Sequence, residues 1–132
     1  MDKAYGRKIK TEFHEGNNKS IIRFTVSHLM EGHPVLLGIR APGGADHAVL
    51  VCGLEFERTD PGSDERPGKM PKPCRILVLD PGGYEVPPFM LWNSIIYPTP
   101  LLKGGYPYLF VEGNCNERKV SFDEALALWS ID

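Results

Sequence analysis

Two short apolar runs, Ala48-Val49-Leu50-Val51-Cys52 and Ile76-Leu77-Val78-Leu79, constrain this chain more than any other feature. Both fall far short of the roughly 20 residues that span a bilayer. Between the wider runs 47–56 and 75–80 lies a stretch crowded with proline, glycine and charge, which reads as a solvated loop over 58–73. Paired antiparallel across that loop, the runs place His47 opposite Asp80, Val49 opposite Val78 and Val51 opposite Ile76, all on one side of the sheet. Ala48, Leu50 and Cys52 then share the other side with Leu77 and Leu79, so both faces are apolar and the hairpin is central.

The rest of the chain supplies elements to surround that hairpin. Ile22, Val26, Leu29 and Met30 fall at offsets 0, 4, 7 and 8, a stripe predicting a helix over 20–31 that Gly32 ends. Residues 34–40 read as a buried strand followed by the turn Ala41-Pro42-Gly43-Gly44, and 106–112 as a later strand. A short helical candidate at 88–96 surrounds Trp92. Ser121-Phe122-Asp123-Glu124 fits an S-x-x-E capping box, and Phe122, Leu126 and Trp129 align on one face, which predicts a last helix over 121–130. Residues 1–18 show little periodicity and read as a lead-in without regular structure. At 132 residues the chain suits one domain, 19–132, of α+β class: a central antiparallel sheet from 34–40, 47–57, 75–80 and 106–112, flanked by helices.

Charge and cysteine usage narrow the function. Fifteen basic against seventeen acidic side chains leave a net charge of −2, without the positive footprint that nucleic-acid or anionic-membrane binding needs. The polar amino terminus lacks the apolar stretch of a secretory signal, which points to the cytoplasm. Three cysteines, at 52, 74 and 115, form no C-x-x-C, so neither a disulfide framework nor a zinc knuckle is encoded. His14, His28 and His33 have no ligand-like spacing and read as scattered surface histidines. The expectation is no metal and no cofactor.

A histidine and a carboxylate at the rim of a buried sheet are placed like a base and its orienting group. The carboxylate accepts one ring proton and leaves the other nitrogen free to take a proton from a nucleophile. The alternative is a strand-end histidine hydrogen-bonded for structure. Tyr97, Tyr106 and Tyr108, with Pro98, Pro100 and Pro107, either line a peptide groove or pack under a loop.

The segments Gly32-His33-Pro34-Val35-Leu36-Leu37, His47-Ala48-Val49-Leu50-Val51-Cys52-Gly53 and Arg75-Ile76-Leu77-Val78-Leu79-Asp80-Pro81 resemble the second half of papain-like cysteine peptidases. The likeness is closest to the bacterial peptidases that process double-glycine leaders. It covers about residues 20 to 96, and Trp92 is similar to an aromatic of that family. The resemblance implies the sheet half of a papain-like fold, with His47 as general base, Asp80 as its orienting acid, and a polypeptide substrate or partner protein. That family carries its cysteine upstream of the histidine, and no cysteine precedes His47 here. One reading therefore places the nucleophile in a missing amino-terminal half or a partner chain. A second is a non-catalytic peptide- or protein-binding module. A third uses Cys115, because the order His47, Asp80, Cys115 resembles the permuted clan of adenovirus-type and ubiquitin-like-protein-processing proteases. Cys115 in its Gly-Asn-Cys-Asn context equally reads as a plain loop thiol. Cys52 lies on the face opposite His47 and reads as a small core residue, and Cys74 is about 20 Å from Asp80 at roughly 3.3 Å per residue.

Overall fold

The computed structural model describes residues 8–41, 46–57, 72–82, 91–110 and 118–131. In chain order they form β1 (Lys8–Glu15), α1 (Asn18–Met30), β2 (Val35–Arg40), β3 (Asp46–Glu55), β4 (Arg75–Leu79), β5 (Ser94–Ile96), β6 (Tyr106–Phe110) and β7 (Arg118–Ile131). The lead-in thus contributes a strand. The predicted loop 58–73 falls mostly outside the described residues, as does Cys115.

The strands follow the order β1-β7-β2-β3-β4-β5-β6, every pairing is antiparallel, and β6 pairs back onto β7. Six strands, β2 to β7, therefore close into a barrel, with β1 laid along the outside of β7. Closure removes the sheet edges that a strand in an open sheet would expose. This overturns the helix-flanked, papain-like α+β sheet expected from the sequence: the described residues are mostly strand, and α1 is the one helix among them.

The decisive difference is β7, where the sequence predicted the helix 121–130. Val120 and Phe122 are buried, then Ala125 and Ala127. A strand alternates by two, and the step of three arises at a bulge. Gly38 pairs with Glu124 while Ile39 pairs with Phe122, which leaves Asp123 as the extra residue. One inserted residue thus shifts the inward set and makes a bent strand imitate helical spacing. The bulge also lets one strand serve three partners: β6 through Arg118–Val120, β2 through Ser121–Ala127 and β1 through Glu124–Ile131. Gly38 accommodates it, since a Cβ there would lie 3.0 Å from Glu124 Cγ. The helical candidate at 88–96 is corrected too, because 94–96 is β5.

Inward-facing Val35, Leu37, Ile39, Val49, Val51, Ile76, Val78 and Ile96 fill the barrel, each burial stabilising by roughly 1.5–3 kcal/mol. Helix α1 packs chiefly along β7 and adds Ile21 to this core. Its first turn is capped by Asn17, whose Oδ1 accepts from the Ser20 amide at 2.8 Å. Asn18 Oδ1 accepts from the Phe122 amide at 2.9 Å, tying the helix start to β7.

Candidate active site

Strands β3 and β4 pair through Leu50–Leu79 and Val51–Val78, two residues away from the register read in the sequence. A bulge between Val51 and Gly53 resets the ladder at Cys52. A shift of two preserves the faces, so His47 and Asp80 stay on the same side. Val49 takes the place across from Asp80, and His47 becomes a diagonal neighbour, within reach of a ring. The contact forms: His47 Nε2 lies 2.5 Å from Asp80 Oδ1.

Asp80 is buried at 3% exposure, whereas the His47 side chain is 40% exposed. A buried carboxylate is tolerated where its lone pairs are met, and here they are. Oδ1 accepts from the Gly82 amide at 2.8 Å and from His47, and Oδ2 accepts from the Tyr108 hydroxyl. Burial, then the Asp80 hydrogen bond, pushes the Tyr108 hydroxyl far above the usual phenol range, so it remains a donor. Asn93 fixes the backbone beneath: its Oδ1 accepts from the Asp80 amide at 2.8 Å and its Nδ2 donates to the Asp80 carbonyl at 2.9 Å. Because a carboxylate accepts and never donates, the ring proton sits on Nε2. Nδ1 is left as the basic nitrogen.

A cleft of about 480 Å³ is lined by His47, Arg40 and four carboxylates, Glu15, Asp46, Asp123 and Glu124, with Arg40, Asp46 and Glu124 on the sheet face opposite the one that His47 shares with Ile39. Arg40 Nε is 3.0 Å from Asp46 and 3.5 Å from Asp123, and its hydrogen bond holds the Asp46 carboxyl below the usual carboxylate range. Glu15 and Glu124 keep the cleft acidic.

The other expected site residues lie elsewhere. Tyr106 and Tyr108 are each 3% exposed, with little surface open to solvent. Tyr108 acts on Asp80. Tyr106 borders a separate cleft with Pro98, Pro100, Ile22 and Val26, by the ends of β4 and β5 remote from Asp80. Trp92 is half-buried directly before Asn93. Cys52 is exposed at the bulge rather than in the core, and desolvation by the atoms packed on it pushes its thiol up, away from the thiolate a nucleophile needs. Cys74 precedes β4 at the end remote from Asp80, its Sγ donating to the Glu55 carbonyl.

Sequence reading missed Asn93, which no motif marks, and the Gly82 amide, which the turn Pro81-Gly82-Gly83 only hints at. It also separated His28 from His33, which the fold brings together: their Nδ1 atoms are 2.9 Å apart. Among known proteins the chain matches no family, no curated protein and no solved structure. Among the described residues no helix is long and apolar enough to cross a membrane.

Proposed function

We propose that the protein is a thiol hydrolase of peptide bonds in which His47 is the general base and then the general acid, and Asp80 orients it. The observation that carries this reading is the half-exposed imidazole anchored through Nε2 on a buried carboxylate, which leaves Nδ1 to take a proton from a thiol. The thiolate attacks the peptide carbonyl, the imidazolium returns the proton to the leaving amine, and water then hydrolyses the acyl-enzyme with His47 again as base. A polypeptide substrate is supported by the motif resemblance around His47 and Asp80.

Neither Cys52 nor Cys74 is placed to serve as the nucleophile, so the thiol comes from outside the described residues. Cys115 belongs to the connection between β6 and β7. Cys115 is the remaining thiol of this chain, and a partner's thiol is the alternative. The test is labelling of the full chain by a peptidyl electrophile, mapped by mass spectrometry. Modification of Cys115 that is lost in His47→Ala and kept in Cys52→Ser is the expected result. Absence of labelling, or labelling indifferent to His47→Ala, overturns the self-contained enzyme.

A further inference from the structure

Helix α1 ends in a turn that places two histidines face to face. Glu31 is the C-cap, Gly32 follows with φ of 82°, the Gly32 amide donates to the Leu29 carbonyl at 3.0 Å, and the His33 amide donates to the His28 carbonyl at 2.8 Å. This is the Schellman arrangement, which brings the side chain three positions before the cap against the one two positions after it. Those positions ordinarily hold apolar residues in contact. Here they hold His28 and His33.

Their Nδ1 atoms lie 2.9 Å apart, and Glu31 Oε2 is 3.6 Å from His33 Nδ1. All three donor atoms fall within 4.8 Å of one another. His28 Nε2 is 3.0 Å from Glu12 Oε2 on β1, and as the carboxylate only accepts, that nitrogen carries the proton and Nδ1 presents its lone pair to His33. A carboxylate behind an imidazole is how proteins fix a ligating histidine's tautomer and raise its basicity. The rings are also held: His33 stacks on Trp129 with centroids 4.5 Å apart and planes 8° from parallel, and Phe24 packs against His28 at 4.5 Å. The helix terminus adds carbonyl dipoles that favour a cation.

We propose that His28, Glu31 and His33 form a binding site for a divalent transition-metal ion, with Glu12 as the positioning residue behind His28. The ion takes the place of the proton between the facing nitrogens; that proton, carried by His33 Nδ1, moves to Nε2 of the same ring, so both rings bind as neutral imidazoles. Two nitrogens 2.9 Å apart subtend about 90° at a metal with bonds of about 2.05 Å, which suits a tetragonal or octahedral ion such as Cu²⁺ or Ni²⁺. Tetrahedral Zn²⁺ asks the rings to part by a few tenths of an ångström. Two imidazole donors select against Mg²⁺ and Ca²⁺. The site lies beyond the start of β2, whereas His47 pairs near its end, on the order of 20 Å away, so it is separate from the His47–Asp80 pair.

The test titrates Ni²⁺, Zn²⁺ and Mg²⁺ into the tag-free full chain, reading heat and, in a Trp92→Phe background, quenching of Trp129 fluorescence by Ni²⁺. One Ni²⁺ or Zn²⁺ per chain and no Mg²⁺ is expected. His33→Ala should abolish binding, Glu12→Gln should weaken it about tenfold, and His14→Ala, in the same cleft, should leave it unchanged. Thermal unfolding in chelator checks that each variant folds. His28→Gln gives a second route should one of them not. No saturation by about 1 mM Ni²⁺ or Zn²⁺, or binding that survives His33→Ala and His28→Gln alike, overturns the site.

Discussion

The Tyr108 hydroxyl donates to Asp80 Oδ2 from inside the barrel, while His47 holds Oδ1 from the rim. The carboxylate is thus gripped from both sides, and it has one place to stand. Tyr108→Phe removes the inner donor and leaves a buried charged oxygen short of a partner. It is predicted to destabilise the fold by about 1–3 kcal/mol, measured by urea unfolding at neutral pH.

The same hydroxyl sets an alkaline limb. Tyr108 in the folded chain holds its proton above the ordinary phenol range, and burial raises Tyr106 as well. The unfolded chain loses those protons as pH rises past about 10, while the folded chain still keeps them. The stabilisation is therefore complete below that pH and declines above it. Urea midpoints measured at increasing alkaline pH should fall, and the slope should be shallower in Tyr108→Phe. Parallel slopes would show that Tyr108 does not contribute.

Asn93 is predicted to matter to Asp80 without touching its carboxylate. Asn93→Ala deletes both bonds to the Asp80 backbone and should cost about 1–3 kcal/mol. Asn93→Asp keeps an acceptor for the Asp80 amide, but it loses the donor and sets a second carboxylate nearby. It should be the worse variant at neutral pH and recover relative to Asn93→Ala as the pH is lowered, in paired denaturation curves.

At Gly32 open space surrounds the missing Cβ, so the penalty of a side chain comes from the backbone, which sits at φ of 82°. Gly32→Ala is predicted to cost about 1 kcal/mol, and Gly32→Asn less. Nickel affinity should fall with Gly32→Ala if the turn sets the His28–His33 contact, and unchanged affinity would separate the two.

The hairpin was legible because its information is local: two apolar runs, a polar loop and a parity that survives a shift of two. Helix α1 was legible for the same reason, from its stripe and Gly32. Strand β7 was not, since the bulge at Asp123 turns a step of two into one of three and Ser121 and Glu124 happen to fit a capping box. Barrel closure was hidden with it, because β7 is the strand that joins β6 to β2. Asn93 acts across thirteen residues of chain and leaves no local trace. The His28–His33 contact was legible in principle: the helix end was read at Gly32, and the geometry of that end fixes which flanking residues meet.

The central claim is that Asp80 orients the His47 ring, and the proton between them reports on it directly. In proton NMR of ¹⁵N-labelled protein, the His47 Nε2–H should appear far downfield, exchange slowly, show a nuclear Overhauser contact to the Gly82 amide proton, and vanish in Asp80→Asn. A His47 ring proton in fast exchange with water, or one indifferent to Asp80→Asn, would contradict the account.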